Sequence, residues 1–468
     1  MSTITRRQLI TGAAASQLAL AQGRSRSGSQ SKAQANIIFL MADDLGYADL
    51  SCYGRRDYTT PHLDALAAGG TRLLQAYANS PVCSSTRTAL ITGRYQYRLR
   101  VGLEEPIAAL GANVGLPLEH PTLPSLLRKA GYKTALIGKW HLGRLPEYSP
   151  LQSGYDHFWG FRNGYVDYFT HKGSTAETDT DDLWDGDTLV HEAGYLTDLL
   201  GNHAVSFVEA NRQGPFFLSL HFSAPHWPWE GPGDEAESKR IRNLRHYDGG
   251  SQATYAAMVR QMDLQVGRLM KTLEQSGLAR NTMVVFTSDN GGERFADTWP
   301  FTGKKTELLE GGIRIPSIIR WPGHVPAGKT SQQVAISMDW MPTLLELAGA
   351  PGDPAYPSDG MSLASVLQGS SAPVPRRLFW RYKSQSQRAI RDGDMKFLKI
   401  AENTFLFDVV KDPLERANLK DRHPDVFHRL SNVWDDWNKT MLPEDPSASV
   451  DVMYGDSVAD HYGVKRPR

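Results

Sequence analysis

Four short apolar runs end in side chains that can do chemistry. "NIIFLMADD" (36–44) closes on Asp43 and Asp44, and "YKTALIGKWH" (132–141) on Lys139 and His141. "PFFLSLHFSAPH" (215–226) closes on His226, and "TMVVFTSDNGG" (282–292) supplies Asp289 and Asn290. Each run reads as a strand buried on both faces. In sheets containing parallel strands, ligands gather beyond the carboxyl ends of the strands, so neighbouring strands would bring these groups into one crevice. An Asp after a strand is ordinarily a turn or cap, and a lone His is ordinarily structural; four convergent endings favour function. Asp43, Asp44, Asp289 and Asn290 offer only oxygen, the donor set of a hard divalent cation, Ca²⁺ or Mg²⁺, rather than of zinc. Three carboxylates packed together without a cation would also be costly.

A fifth stretch, "PVCSSTRTALITGRY" (81–95), sets Cys83 ahead of a helix. The only other cysteine is Cys52, which excludes an extensive disulfide framework. Ser84 or Ser85 is expected to cap a helix that stops at Gly93. Cys83 then stands at a helix N-terminus, where unpaired N–H groups favour an anion, with Arg87 on the same face one turn later. Lys139 and His141, two apart in an extended segment, project to one side. "FTGKKTELLEGGIRIP" (301–316) adds Lys304 or Lys305 beside a glycine-rich turn. A cation, an arginine, lysines and two histidines around one small residue describe a site for a tetrahedral oxyanion ester.

The elements needed to position these groups are visible as alternating apolar runs and helical stretches, the pattern of an α/β sheet. Helices are expected over 61–70, 122–132, 255–277 and 339–349, several ending at glycine. After about residue 370 the pattern changes. "RAIRDGDMKFLKI" (388–400) carries a hairpin signal at Asp392-Gly393 and "NTFLFDVVKDP" (403–413) another strand, which predicts a small antiparallel subdomain with a polar tail over 371–468. The catalytic domain is placed at 36–370. Lysine plus arginine equals aspartate plus glutamate at 51 each, so no global field draws the chain to nucleic acid or a membrane surface. No apolar run approaches the roughly 20 residues of a membrane span. At the N-terminus, Arg6 and Arg7 precede a mildly apolar stretch ending in Ala19-Leu20-Ala21, which resembles a twin-arginine export signal over 1–21. "QGRSRSGSQSKAQA" (22–35) follows as a flexible linker. Export to the bacterial periplasm, or secretion, is the expected destination.

Together these residues resemble the sulfatase family of the alkaline-phosphatase superfamily. The motif C-x-x-x-R-x-x-L-x-T-G is present as Cys83, Arg87, Leu90, Thr92 and Gly93, among "MADDLGYADLSCYG", "GKWHLG", "SAPHWP", "TSDNGG" and "EGGIRIP" in the family's order. The resemblance implies an alkaline-phosphatase-like fold: a large mixed, mainly parallel central sheet flanked by helices. It also implies a formylglycine-dependent, arylsulfatase-type activity on the sulfate monoester of an aryl alcohol or a carbohydrate. In the family the motif cysteine is oxidised by a formylglycine-generating enzyme. One hydroxyl of the hydrated aldehyde attacks sulfur, and loss of the other hydroxyl proton expels sulfate. Carried over, modified Cys83 is nucleophile and metal ligand; Asp43, Asp44, Asp289 and Asn290 hold one cation, calcium rather than magnesium by preference. Arg87 steadies the hydrate, Lys139 the sulfate oxygens, and His141 assists elimination. His226 serves the leaving oxygen with the lysine five residues before Glu310, which is Lys305. Ser85 stands where the family most often has Pro or Ala, while the Cys and Arg that the maturing enzyme chiefly needs are present. Because twin-arginine export carries folded proteins, the modification would precede folding.

Aromatic residues crowd "YDHFWGFRNGYVDYF" (155–169) and "HWPWEG" (226–231), where a wall for a sugar or aryl ring competes with plain core, Trp227 and Trp229 standing nearest His226. "RYQYRLR" (94–100) reads as a solvated basic face rather than a subsite for further sulfates. Three other readings share these residues: a phosphoester or phosphonate hydrolase of the same superfamily, an inactive sulfoglycan-binding protein, and a Cys–His thiol hydrolase using a thiol acidified at a helix start. The carboxylate cluster has no role in the last.

Overall fold

The computed structural model describes residues 34–108, 113–143, 146–174, 179–241, 243–246 and 249–451. The expected export signal (1–21) and all but the end of the linker (22–35) lie outside them. The first strand, β1 (Asn36–Ala42), shows why the main sheet is central. Ile38, Leu40 and Ala42 join one apolar cluster and Ile37, Phe39 and Met41 the other, since successive side chains leave a strand on opposite faces. A strand covered on both sides needs no polar alternation, which is why the run is apolar throughout.

The strands follow in chain order as β2 (Thr71–Tyr77), β3 (Lys133–Lys139), β4 (His157–Phe161), β5 (Lys172–Ser174), β6 (Asp179–Asp181), β7 (Trp184–Asp185) and β8 (Thr188–Leu189). Next come β9 (Phe216–His221), β10 (Thr282–Ser288), β11 (Ser317–Arg320) and β12 (Lys329–Ile336). Ten of them form one mixed sheet ordered β12-β2-β11-β10-β1-β9-β3-β4-β7-β8. Its middle, β10-β1-β9-β3-β4, is parallel throughout, and antiparallel pairing enters at β11 and β7. The four runs singled out in the sequence are therefore adjacent, and their carboxyl ends point the same way. Helices Pro61–Ala68, Leu196–Ala210 and Gln252–Gln275 cover one face. Helices Cys83–Thr92, Leu123–Lys129 and Trp340–Ala348 cover the other. No helix among the described residues is long and apolar enough to cross a membrane.

A second, antiparallel sheet comprises β13 (Arg377–Tyr382), β14 (Gln387–Asp392), β15 (Met395–Ile400) and β16 (Asn403–Asp408). The hairpin between β14 and β15 turns at Gly393-Asp394, with Asp392 paired to Met395, one residue beyond the expected position. The polar tail expected after the strands contains a helix, Pro424–Asn438. Pro424 starts it, where a missing N–H costs nothing, and Leu430 and Trp434, one turn apart, bury against Ile390, Phe397 and Leu406. The sheet's other face packs Leu378, Trp380 and Leu398 against Tyr77, Tyr97, Leu308 and Ile313 of the larger unit. "RYQYRLR" is not a solvated face: Tyr95 and Tyr97 are core, and Arg98 and Arg100 pair with Asp359 and with Glu104 and Asp445.

Candidate active site

The chain leaves β1 at Asp43, whose N–H donates to Ala224 O at 3.2 Å. Asp44 then enters the left-handed region at φ 62°, its N–H donating to Asp289 Oδ1 at 3.2 Å. Asp289 follows β10 and returns its own N–H to Ala42 O at 3.2 Å. Asn290 Nδ2 donates to Asp44 Oδ1 at 2.7 Å. Two adjacent parallel strands thus cross-brace each other's first non-strand residues. In β3, the backbone of Gly138 lies so close to β9 that a Cβ would stand 1.8 Å from His221 O, which only glycine permits at φ 110°. That approach seats Lys139, the last residue of β3, with Nζ 2.5 Å from Asp43 Oδ2.

The helix begins at Cys83 and stops at Gly93, which is left-handed at φ 65°. Neither serine caps it. Its N-cap is Val82, without a side-chain cap bond; Ser84 Oγ accepts from Ile107 N at 2.9 Å and Ser85 Oγ donates to Glu104 O at 2.8 Å. Both hydroxyls are spent tying the segment 104–107 to the helix. Arg87, one turn in, sets Nε and Nη2 on Asp289 Oδ2 at 3.0 and 2.9 Å. Cys83 Sγ lies 3.3 Å from His141 Nδ1, and His141 Nε2 donates to Ile107 O at 2.9 Å. That bond fixes the tautomer, leaving the Nδ1 lone pair facing Cys83. His226 Nδ1 donates to Trp227 O at 2.6 Å, with Nε2 3.5 Å from Asp44 Oδ2. Lys305 Nζ reaches the same oxygen at 2.6 Å. Every catalytic and metal residue that the family resemblance implied is in this network, with Lys305 rather than Lys304 at Asp44.

All of these groups are buried, and burial sets the direction of the shift at the thiol and the two imidazoles. It pushes the Cys83 thiol up and holds His141 and His226 well below the usual imidazole range. A thiol hydrolase needs the opposite shift at Cys83. Burial and the Asp289 carboxylate raise Asp43, whereas for Asp289 the Arg87 and Lys139 charges outweigh burial and hold it below its usual range.

The three carboxylates face three cations, Asp43 with Lys139, Asp44 with Lys305 and Asp289 with Arg87. Carboxylate repulsion alone therefore does not demand a metal, contrary to the expectation from sequence. The fit to a cation rests on other atoms. Asp43 Oδ1 and Asn290 Oδ1 are buried without a hydrogen-bond partner, and Arg87 Nη2 stays 4.0 Å from the former. Buried oxygens are rarely left so. Ligand atoms of Asp43, Cys83 and Asp289 lie within 4.8 Å of one another, as do those of Asp43, Asp44 and His226. An all-oxygen core with unspent lone pairs suits a hard cation.

Sequence reasoning missed His221, buried at the end of β9 with Nδ1 3.3 Å from both Arg87 Nη1 and Lys139 O. It also missed that Tyr165 stacks on His226, ring centroids 5.7 Å apart and 13° between planes. The strand-end position of His221 was the available signal. Of the two tryptophans placed near His226, Trp227 stays at the site, 5.9 Å from Lys305 Nζ, while Trp229 packs into the core against Phe295.

Residues 35–350 match the family model described as Sulfatase, and residues 301–439 match N-sulphoglucosamine sulphohydrolase, C-terminal. The chain is 33% identical over 386 residues to human N-acetylgalactosamine-6-sulfatase, covering 77% of this chain and 70% of that one. It is 32% identical over 434 residues to human arylsulfatase A, covering 85% and 81%. Among solved structures, Ps i-CgsB in complex with k-i-k-neocarrahexaose superposes with a TM-score of 0.80 at 32% identity, covering 89% and 95%. A match over most of the sheet, together with this site, defines a hydrolase of the alkaline-phosphatase-like fold. The chain belongs to the sulfatase family and is a sulfuric ester hydrolase.

Proposed function

We propose that the protein is an exported sulfatase that removes sulfate from a sulfated carbohydrate, using a Cα-formylglycine made from Cys83 by a formylglycine-generating enzyme. The observation that carries this reading is Cys83 itself, buried at the helix start, 3.3 Å from His141 and grouped with Asp43 and Asp289. The carbohydrate class is supported by N-acetylgalactosamine-6-sulfatase among the relatives and by the neocarrahexaose complex among the structures. The paired arginines of the N-terminus support the export route.

A hydrated formylglycine at residue 83 would supply two hydroxyls, one to form the bond to sulfur as the ester's S–O bond breaks and the alcohol leaves, the other to give up its proton so that sulfate departs and the aldehyde is restored. Asp43, Asp44, Asp289, Asn290 and residue 83 would hold one Ca²⁺, which when bound draws charge from the sulfate oxygens. Arg87, locked on Asp289, steadies the hydrate, and Lys139 orients the sulfate oxygens. His141, kept neutral by burial with its Nδ1 lone pair facing residue 83, accepts the proton whose removal starts elimination. His226 and Lys305 converge on Asp44 Oδ2 and serve the leaving oxygen; Asp44 keeps the Lys305 ammonium charged despite burial.

The test is mass spectrometry of the tryptic peptide 73–87, which contains no other cysteine. Protein made with the maturing enzyme should show an aldehyde in place of the thiol, and that aldehyde should react with a hydrazide probe. Active protein whose Cys83 is fully alkylatable would overturn the reading.

A further inference from the structure

The loop that carries Lys305 is held by a residue outside the main sheet. Thr306, directly after Lys305, has φ 73°, a left-handed conformation that is a genuine outlier for a β-branched residue. Such backbone persists only where its surroundings over-determine it. Two of the ties come from the larger unit: Lys305 N donates to Gly292 O and Thr306 N to Pro81 O, both at 2.9 Å. The other two come from one side chain, that of Gln387, the first residue of β14 in the C-terminal sheet. Its Nε2 donates to Thr306 O at 2.9 Å, and its Oε1 accepts from Leu308 N at 2.8 Å. Nε2 also lies 3.3 Å from Ser384 O. Both ends of the amide are engaged, and Gln387 is buried.

We infer that Gln387 is a positioning residue for sulfate ester hydrolysis, acting through Lys305. A four-bond ammonium stem has many rotamers, and burial alone does not choose the one that meets Asp44 Oδ2 at 2.6 Å. The backbone from which the stem springs chooses it, and Gln387 clamps that backbone on the far side of the strained residue. The C-terminal sheet thereby takes part in the chemistry without touching substrate. The inference rests on the reading of Lys305 as a group that serves the leaving oxygen.

A double-mutant cycle of Gln387→Glu, Lys305→Ala and the pair tests it, on aryl sulfates ranging from 4-nitrophenyl to unsubstituted phenyl sulfate. Gln387→Glu keeps an acceptor for Leu308 N and loses the donor to Thr306 O. Gln387→Ala, with thermal midpoints for every variant, covers the case in which the buried carboxylate disturbs folding. Gln387→Glu should lower kcat by about ten- to a hundredfold on phenyl sulfate and distinctly less on 4-nitrophenyl sulfate, steepening the dependence on leaving-group pKa. A loss of folded enzyme lowers all substrates equally and cannot move that slope. In the Lys305→Ala background the Gln387 substitution should have no further effect. A full Gln387 effect persisting there, or an unchanged slope, would overturn the inference while leaving Lys305 in its role. If Lys305→Ala itself left every substrate untouched, the role of Lys305 would fall, and the inference with it.

Discussion

Among the described residues, acidic and basic side chains are buried together at the strand ends and again between the two sheets, and the two clusters are finished differently. Beyond the strand ends, Asp43, Asp44 and Asp289 face Lys139, Lys305 and Arg87. Between the two sheets, Glu310 Oε1 meets Lys396 Nζ at 3.0 Å, and Lys396 meets Glu415 Oε1 at 2.9 Å. Glu310 Oε2 takes Arg314 Nη1 at 2.5 Å and the Tyr77 hydroxyl at 2.7 Å. Burial and charge are common to both. The difference lies in what is left over. Both oxygens of Glu310 are spent, and Glu415 Oε1, itself without a hydrogen bond, faces Lys396 Nζ at 2.9 Å, whereas Asp43 Oδ1 and Asn290 Oδ1 have no hydrogen bond. Backbone strain does not separate them: Asp44 and His141 lie at positive φ in the one cluster and Glu415, at φ 53°, in the other. Unspent coordination, more than charge or backbone strain, separates a site from a buttress here.

The comparison breaks first, and most visibly, at Asp43. Asp43→Asn removes a proposed ligand with little change of volume. Turnover should fall on the order of 10³-fold, with bound metal, measured by elemental analysis, falling in parallel. Exhaustive chelation of the intact enzyme should do the same and lower the thermal midpoint, because a ligand bound only by the folded state is lost. Turnover that survived verified metal removal would mean that the orphaned oxygens serve some other purpose.

At the buttress the expected effect is on stability. Lys396→Met leaves Glu310 and Glu415 in the interior without their shared cation, a loss of about 3–5 kcal/mol for a broken buried pair. Denaturant unfolding should show it, while turnover per folded molecule, measured well below the transition, is kept. A variant of unchanged stability and lost turnover would reverse the two roles.

The strand-end cluster was legible in the sequence because each member sits within a few residues of a strand, so parallel strands alone suffice to gather it. Cys83, Arg87 and Gly93 are legible for the same reason, being one helix. Lys305 needed the family's spacing to be told from Lys304. The buttress was not legible. Lys396 and Glu310 stand 86 residues apart in chain elements that share no motif, and a lone lysine in a strand resembles any surface lysine until its partner is known. The serines beside Cys83 misled through local logic: a serine at a helix start is a fair cap, but tertiary partners at 104–107 claimed both hydroxyls. Helix Pro424–Asn438 resembles a polar tail in the sequence because polar residues cover its outer face, leaving only Leu430 and Trp434 fully buried.

The smallest predicted effect sharpens the comparison through pH. Burial alone would raise Glu310, but Lys396, Arg314 and Arg391 outweigh it and hold its carboxyl down at about 2. A carboxyl depressed in the folded state is protonated first in the unfolded chain. Its stabilisation is complete above the unfolded value of 4.5 and is lost as pH falls through 2. Glu415 runs the other way. Burial raises it to about 7, with Lys396 opposing and the neighbouring Glu310 charge adding to the rise. The folded state then holds the extra proton, so this contribution is complete below 4.5 and fades as pH rises through 7. The two carboxyls share Lys396 and titrate as a pair. Glu310→Gln should flatten the acid limb of unfolding free energy between pH 4.5 and 2, and Glu415→Gln the limb between 4.5 and 7. Each change should be at most about 3 kcal/mol across its window, the distance from 4.5 to 2 or to 7 at about 1.4 kcal/mol per pH unit. Neither should alter bound metal, because neither residue contributes to the strand ends. Metal lost from either variant would show that the two clusters are one system.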